Sequence, residues 1–207
     1  MKVIVATGNE GKVREIREIL RDMDACVVTM KEAGFFVEPK EDGSTFLENA
    51  VIKAKAVAKE AAKNDVWKDA IVMADDSGLV IDALNGEPGI YSARYLGHDT
   101  SYRIKNADLI RRLSGIPDGQ RSARFVCAVA AACPGGRVLT AEGVMEGRIG
   151  YEERGKNGFG YDPIFYLPEF GCTSAELSPE DKNRISHRGK ALRTMREKLG
   201  VSLEESR

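Results

Sequence analysis

The sequence predicts an α/β protein. Short apolar runs rich in β-branched residues, which are typical of buried strands, alternate along the chain with segments whose apolar residues recur at helical spacing. The chain has 207 residues, enough for one large domain with a sizeable apolar interior, or for one core extended into two lobes. We therefore expect residues 1–207 to form a single domain.

Strand and helix alternate in the first half of the chain. In chain order we expect a strand at 3–6, a helix at 12–22, a strand at 25–30, a helix at 46–63 and strand sequence on both sides of residues 75–78. Thr45 and Glu48 have the spacing of a capping box, in which two side chains satisfy backbone N–H groups at a helix start. This pattern supports a helix that begins at Phe46.

A helix and an antiparallel ribbon are predicted in the second half. The expected elements are a helix from 99 or 100 to 113, a linker at 114–119, and strands at 124–133 and 138–149 joined by a hairpin turn at 134–136. We expect this ribbon to be a second lobe or a dimer edge. Ser178 and Pro179 predict a short helix, and Ser186 begins a last helix that Gly200 is expected to end.

Two adjacent carboxylates, Asp75 and Asp76, end an apolar run in the middle of the chain. Gly78 permits a sharp turn between the strands on either side. Buried carboxylates are costly unless they are compensated, and a divalent cation or a hydrogen-bonding turn can do this. Glu41 could join Asp76 on a metal ion, or could be an exposed loop acid. This stretch alone leaves both alternatives open.

A glycine-containing loop connects the first strand to the first helix. It consists of Thr7, Gly8, Asn9, Glu10, Gly11 and Lys12. Because N–H groups at a helix start attract anions and Lys12 adds a positive charge, the arrangement suits phosphate. It is not a Walker A loop, since Val13 stands where a Ser or Thr would hold magnesium. A tight connection without a ligand is the alternative.

Two later segments carry side chains that could contact a nucleobase, a carbonyl oxygen or an anion. Phe159, in a glycine-rich segment at 155–165, could stack on a nucleobase, and Asp162 could accept a hydrogen bond from a ring N–H. The alternative is an aromatic turn folded into the core. His187 and Arg188, at the start of the last helix, could donate to a carbonyl oxygen or an anion, or could be a solvated helix start.

The charge, the cysteines and the apolar runs of the sequence indicate the partners and the cell compartment to expect. Lys and Arg number 31 and Asp and Glu number 32, so the net charge of −1 gives no reason to expect a nucleic-acid polymer or an anionic membrane. The four cysteines have no C-x-x-C spacing and are expected to be reduced. We find no signal-peptide core and no apolar run long enough to span a membrane, so we expect a cytoplasmic protein.

Together the motifs resemble the inosine triphosphate pyrophosphatase family. The residues that carry the resemblance occur in the family's order over nearly the whole chain: Thr7-Gly8-Asn9 with Lys12, Thr45-Phe46 with Glu48-Asn49-Ala50, Ala74-Asp75-Asp76-Ser77-Gly78-Leu79, Pro88-Gly89-Ile90-Tyr91-Ser92-Ala93-Arg94, Gly158-Phe159-Gly160-Tyr161-Asp162-Pro163 and Ser186-His187-Arg188-Gly189. The resemblance implies an elongated mixed sheet flanked by helices, with two lobes and an active-site cleft between them. It also implies a homodimer that uses Mg²⁺.

The activity that the resemblance implies is removal of non-standard purine nucleotides from the nucleotide pool. The enzyme would hydrolyse ITP, dITP and XTP to the nucleoside monophosphate and pyrophosphate. By the same resemblance, Glu41 and Asp76 would hold the metal and Asp76 would also be the general base, whereas Asp75 could bind metal or orient its neighbour. The residues expected to contact the substrate are Thr7 to Lys12, Lys53, Ser77, Phe159, Gly160, Tyr161, Asp162, Lys182, His187 and Arg188.

Other functions remain possible on the sequence alone. A nucleotide sensor would keep Phe159 and Arg188 but would not need the Glu41 and Asp76 metal site. A P-loop transferase would share Lys12, although the loop spacing argues against it. The nearest alternative among hydrolases is a pyrophosphatase that prefers pyrimidine or methylated nucleotides.

Donors at His187 and Arg188 would favour a 6-oxo purine over adenine by about 1–3 kcal/mol per unmatched group.

Overall fold

The fold was analysed in a computed structural model that describes residues 1–21 and 23–204, with side chains described up to residue 200. The described strands are β1 (Lys2–Val5), β2 (Cys26–Thr29), β3 (Ile71–Ile81), β4 (Ser122–Ala132), β5 (Val138–Ile149), β6 (Phe165–Leu167) and β7 (Cys172–Thr173). The α-helices are α1 (Glu10–Ile19), α2 (Phe46–Ala61), α3 (Tyr102–Arg112), α4 (Pro179–Ile185) and α5 (His187–Glu204).

The described strands form one mixed sheet in the order β2-β1-β3-β4-β5-β6-β7. Strand β1 runs parallel to both β2 and β3, whereas β5–β6 and β6–β7 are antiparallel pairs. The predicted α/β class is therefore confirmed. In the described part of the chain, no helix is both long and apolar enough to cross a membrane.

The chain divides into two compact units, which are described separately. Unit 1 contains Met1–Asp76, Cys127–Gly143 and the described residues from Arg188 onward. Unit 2 contains Ser77–Val126 and Val144–His187.

Strand β1 of unit 1 is buried on both faces, and its residues show which helices cover each face. Alternate residues of a strand point to opposite faces. Val3 and Val5 belong to a core cluster that includes Ile16 of α1 and Leu192 of α5. Ile4, between them, belongs to a second cluster with residues of α2. Helices α1 and α5 thus cover one face and α2 covers the other.

The core of unit 2 is a third apolar cluster. Leu79 and Ile81 of β3 pack there with Leu109 of α3, Phe125 of β4 and Ile164. All five side chains are buried, which gives unit 2 an apolar interior of its own.

Two local predictions are confirmed. Helix α2 begins at Phe46 after a capping box, in which Thr45 accepts from the N–H of Glu48 and Glu48 accepts from that of Thr45. The hairpin turn lies at 134–136, where the N–H of Cys133 donates to the carbonyl of Arg137 over 2.8 Å. Both are set by short-range sequence patterns.

The expected sharp turn at Gly78 was wrong. Strand β3 runs without interruption from Ile71 to Ile81, through both aspartates. Neighbouring strands on both sides supply backbone partners, and the N–H of Leu79 donates to the hydroxyl of Ser92 over 2.9 Å. Because other elements compensate the carboxylates, the backbone does not need to turn away to satisfy them.

Helix boundaries differ from the predictions by a few residues. Helix α1 begins at Glu10 and ends at Ile19; the predicted end, Asp22, lies outside the described residues. Helix α5 continues through Gly200, where we expected it to stop. A glycine inside a helix costs only about 1 kcal/mol, which the packing of Leu192, Met195 and Leu199 in the core exceeds.

Candidate functional site

The two adjacent aspartates face opposite sides of the sheet because they are neighbours in one strand. Asp75 points to the side covered by α1 and α5, where it contacts Lys12 and Arg188. Asp76 points to the side covered by α2, where it contacts Lys53 and Asn49. All of these residues lie in unit 1. One strand therefore supplies carboxylates to two separate charge clusters.

The Asp76 cluster joins two carboxylates through one ammonium group. Lys53 Nζ lies 3.0 Å from Asp76 Oδ1 and 3.3 Å from Glu41 Oε2. Asn49 Nδ2 donates to Asp76 Oδ2 over 3.3 Å, and Asn49 Oδ1 accepts from the N–H of Gly43 over 3.0 Å. A Cβ at Gly43 would lie 2.7 Å from the Cβ of Glu48. Glycine at this position thus allows the loop that carries Glu41 to approach α2.

Burial makes Asp76 a stronger base than an ordinary aspartate. Burial raises its pKa, and although Lys53 and Lys12 act in the opposite direction, the net shift is upward. Burial lowers the pKa of Lys53, but Asp76, Asp75 and Glu41 outweigh it, so the pKa of Lys53 is raised and the ammonium stays charged. A partly desolvated carboxylate with a raised pKa is a typical candidate for a general base.

The donor set around Lys53 fits a Mg²⁺ ion that arrives with a phosphate ligand. Within the described residues, no group of three or more His, Cys, Asp or Glu is placed to hold a metal. Mg²⁺, however, is commonly bound by one or two carboxylates together with substrate phosphates and water. Glu41 and Asp76 already share one cation, the Lys53 ammonium. Their oxygens are thus oriented toward a common positive charge.

The Asp75 cluster is more deeply buried. Lys12 Nζ lies 2.9 Å from Asp75 Oδ2, and Arg188 Nε and Nη2 both lie 3.3 Å from the same oxygen. Arg188 Nη1 also pairs with Glu15 of α1. Burial raises the pKa of Asp75, but Lys12, Arg188 and Lys53 outweigh it and hold that pKa well below its usual range. Asp75 is thus held ionised by two cations on the side of the sheet opposite to Asp76.

Cys127 lies beside this cluster, with its Sγ 4.0 Å from Asp75 Oδ2. Burial raises the pKa of the Cys127 thiol to about 12, and the charge of Asp75 adds to the effect. The thiol is therefore protonated at neutral pH and is a poor nucleophile.

The loop after β1 has the geometry of a helix cap. Asn9 Oδ1 accepts from the N–H of Lys12 over 3.1 Å, and Thr7 Oγ1 accepts from the N–H of Asn9 over 3.2 Å. Gly8, Glu10 and Gly11 complete the segment at the N-terminus of α1, and Lys12 points from it to Asp75. This end of the helix has the positive dipole that favours an anion.

In unit 2, Asp162 organises the segment around Phe159. Its Oδ2 accepts from the N–H of Phe159 over 2.8 Å and from Lys182 Nζ over 2.6 Å, and its Oδ1 accepts from the Ser174 hydroxyl over 3.0 Å. Gly158 has φ of +72°, and a Cβ there would lie 2.2 Å from Asp162 Oδ2. Asp162 thus already accepts from groups of the protein, whereas the sequence suggested that it accepts from a base.

Phe159 and its neighbours in unit 2 differ in burial and in contacts. Its ring is half-buried, and Lys182 Nζ lies 5.1 Å from the ring centroid. Tyr161, by contrast, is buried and donates its hydroxyl to the carbonyl of Ser92 over 2.7 Å. His187 stacks on Phe125 with 4.8 Å between ring centroids. Tyr161 and His187 therefore pack within the unit.

The structure brings some predicted site residues together and adds others. In unit 1 it groups Glu41 with Lys53 and Asp76, and it separately groups Lys12 with Arg188. In unit 2, Gly160 accepts from Asn106 Nδ2 over 3.3 Å and Ser77 continues β3. Sequence reasoning missed Glu15, Asn106 and Ser174, and it named Asn49 in a motif without giving it a role in the site. Glu15 and Asn49 had a usable signal, since they lie three residues after Lys12 and four before Lys53 on the same helix faces.

Comparison with known proteins identifies the family. The profile of the Ham1 family matches residues 3–198. The chain belongs to the Ham1 family. It is 48% identical over 199 residues to a protein of Desulforamulus reducens named dITP/XTP pyrophosphatase, with 96% of each chain covered. A Bacillus subtilis protein of the same name is 47% identical over 194 residues, with 94% of each chain covered.

Solved structures agree with this assignment. The Ham1 protein of Staphylococcus aureus is 38% identical, with a TM-score of 0.84 over 98% of this chain and 100% of that one. A dITP/XTP pyrophosphatase from Mycobacterium abscessus is 40% identical, with a TM-score of 0.71 over 94% of this chain and 98% of that one. The family resemblance predicted from the sequence is confirmed. Ham1-family enzymes hydrolyse non-canonical purine nucleotides and are in general metal-dependent.

Proposed function

We propose that this chain hydrolyses dITP, ITP and XTP to the nucleoside monophosphate and pyrophosphate. The names of its relatives support this substrate class, and the predicted enzyme class is confirmed at the level of the family. Within the molecule, the observation that carries the proposal is the pair of carboxylates, Glu41 and Asp76, around the Lys53 ammonium. This arrangement serves hydrolysis of a charged phosphoanhydride, whereas a nucleotide sensor would not need it.

In this proposal Glu41 and Asp76 hold a Mg²⁺ ion, which would supply positive charge to the triphosphate. Asp76 accepts the proton of the attacking water. Lys12, Lys53, Ser77 and the segment Thr7–Gly11 bind the phosphate oxygens. Positive charge fixed in place before the reaction stabilises the charge that develops on the leaving pyrophosphate.

The proposed contacts to the base lie mainly in unit 2. Phe159 stacks on the purine, with Gly160, Tyr161 and Asp162 shaping the segment that holds it. Lys182 flanks the base, and His187 and Arg188 at the start of α5 donate toward the 6-oxo group. In the free protein Arg188 pairs with Asp75 and Glu15, so a contact to the base would compete with those two carboxylates.

The homodimer and the cytoplasmic location implied by the resemblance are part of this proposal. Sedimentation velocity of the purified protein would test the first, with a mass of twice 22.6 kDa expected. A sedimentation coefficient that corresponds to one chain would exclude the dimer.

A nucleotide panel tests the activity. With Mg²⁺ present, we expect pyrophosphate release from ITP, dITP and XTP with kcat/KM at least about tenfold above that for ATP, because the 6-amino group of adenine would leave a donor of the site unmatched at a cost of about 1–3 kcal/mol. Release of orthophosphate would contradict cleavage at the α–β bond. A preference for pyrimidine or methylated nucleotides would contradict the substrate class.

Replacement of Lys53 by Met should impair turnover and increase the stabilising effect of Mg²⁺. Without the ammonium, Glu41 and Asp76 lose the cation that they share, and their mutual repulsion is relieved only when a metal binds. We expect kcat/KM for ITP to fall by about tenfold or more and the Mg²⁺-induced rise in Tm to exceed that of the wild type. Lys55→Met, on an exposed position of the same helix, is the control. Equal behaviour of the two variants would mean that Lys53 does not serve this site.

Phe159→Ala should weaken the turnover of all purine triphosphates alike. A ring offers affinity without a choice of base, and stacking is worth about 1–3 kcal/mol per base. We expect kcat/KM for ITP, XTP and ATP to fall by the same factor, with their ratios unchanged. Phe170→Ala, which removes an exposed ring, should change none of these values. A selective loss for one base would show that Phe159 takes part in discrimination.

A further inference from the structure

Four charged side chains form a continuous chain in unit 1. Glu15 contacts Arg188, Arg188 contacts Asp75, and Asp75 contacts Lys12. Lys12 and Glu15 lie three residues apart on α1, so both face the same side of that helix. The chain therefore starts and ends on α1 and passes through β3 and α5 between these points.

The geometry divides one guanidinium between two carboxylates. Arg188 directs Nε and Nη2 at Asp75 Oδ2, over 3.3 Å each, and directs Nη1 at Glu15. The same Asp75 oxygen accepts from Lys12 Nζ over the shorter distance of 2.9 Å. Lys12 and Arg188 thus share a single acceptor atom, and Glu15 supplies Arg188 with a second one.

The balance of charge explains why this second acceptor matters. The Arg188 side chain is 2% exposed, and an arginine does not release its proton in a protein. With Glu15 present, the four side chains carry two positive and two negative charges. Without it, Asp75 is the one carboxylate among these side chains that faces the two cations, and one of them, Arg188, is buried and cannot move into water.

We infer that Glu15 is a positioning residue that acts through Arg188 and Asp75 to hold the phosphate-binding lysine, Lys12. Glu15 accepts from Arg188 Nη1 and balances part of the guanidinium charge. Asp75 Oδ2 therefore stays close to the Lys12 ammonium. When Glu15 loses its charge, Arg188 moves fully onto Asp75 and Lys12 loses its fixed position. This inference rests on the proposed function, in which Lys12 binds the substrate phosphates.

A double-mutant cycle tests the inference. Glu15→Gln, Lys12→Met and the double variant are compared with the wild type by kcat and KM for ITP at saturating Mg²⁺. We expect Glu15→Gln to raise KM about tenfold with kcat within about threefold of the wild type, because it weakens substrate binding and leaves Asp76 in place. The double variant should be within about twofold of Lys12→Met alone, because Glu15 acts only through Lys12.

The control is Glu18→Gln, one turn further along α1, which removes an exposed carboxylate paired with Arg21 and should leave both constants unchanged. Glu15→Asp keeps the charge and should recover most of the lost affinity. Effects of Glu15→Gln and Lys12→Met that multiply in the double variant would overturn the inference. So would a failure of both Glu15 variants to fold, since the role of Glu15 would then be structural.

The same variants separate this inference from the proposed function. If the wild type releases no pyrophosphate from any triphosphate, the proposed function fails. Binding of inorganic triphosphate, measured by calorimetry, then replaces KM in the cycle. An undiminished affinity of Glu15→Gln for triphosphate would overturn the positioning role on its own.

Discussion

Asp76→Asn is expected to abolish measurable hydrolysis while the fold remains intact. An amide cannot accept the proton of the attacking water and is a poor ligand for Mg²⁺. General-base catalysis alone contributes about 10²–10⁴-fold, so with the metal ligand also lost we expect kcat to fall by at least about a thousandfold.

The stability of this variant should be close to that of the wild type. Because burial raises the pKa of Asp76, its charged form is less favourable in the folded chain than in water at neutral pH. An asparagine removes this unfavourable charge and can still accept from Asn49, and Lys53 keeps Glu41 as a partner. We expect the free energy of unfolding to change by no more than about 1 kcal/mol.

Pyrophosphate release from ITP and thermal unfolding, measured on the same preparation, check both parts. Asp65→Asn is the matched control, because it makes the same chemical change at a side chain that is 99% exposed and paired only with Lys68 in the described structure. Turnover of Asp76→Asn within about tenfold of the wild type would remove Asp76 from the catalytic role.

Local patterns were enough to predict most of the elements. The capping box of Thr45 and Glu48 and the glycine turn before β5 depend on residues only a few positions apart, so the sequence displays them directly. The error at Gly78 arose from treating two carboxylates as the end of a strand. A strand can carry charged residues through a core when cations from other elements meet them, and the sequence does not show those partners.

The position of Arg188 illustrates the limit for the site. Its place at a helix start beside His187 suggested a donor to a base, whereas its guanidinium pairs with Asp75, which is 113 residues away in the chain. Such a pairing depends on which helix covers which face of the sheet. The strand sequence did predict that Asp75 and Asp76 have different partners, because adjacent side chains of one strand point to opposite faces of the sheet. Glu41 and Lys53 lie only 12 residues apart, yet the sequence analysis placed Glu41 with Asp76 and Lys53 with the phosphates.

Asp75→Asn is expected to destabilise the fold by about 3–5 kcal/mol, the usual cost of breaking a buried ion pair by removal of one partner. The Asp75 side chain is 1% exposed, so solvent does not screen its interactions with Lys12 and Arg188. The amide oxygen of an asparagine still accepts hydrogen bonds, but it carries no charge. Glu15 is then the one carboxylate left in this cluster to balance the charges of Lys12 and Arg188. The exposed Asp65–Lys68 pair is worth at most about 1 kcal/mol, so Asp65→Asn again provides the contrast.

The wild type and Asp75→Asn differ in their free energy of unfolding, and the pH dependence of this difference follows from the direction of the Asp75 pKa shift. Lys12 and Arg188 hold the folded-state pKa below the value of about 4 of an unfolded aspartate. The stabilisation by the charged form is therefore fully present above about pH 5 and is lost as the pH falls through the folded-state pKa. Urea unfolding of both proteins from pH 7 down to pH 3 measures this difference in the free energy of unfolding. It should be constant near neutral pH and should shrink below about pH 4. A difference under about 1 kcal/mol at pH 7 would mean that Lys12 and Arg188 find other compensation when Asp75 is neutral.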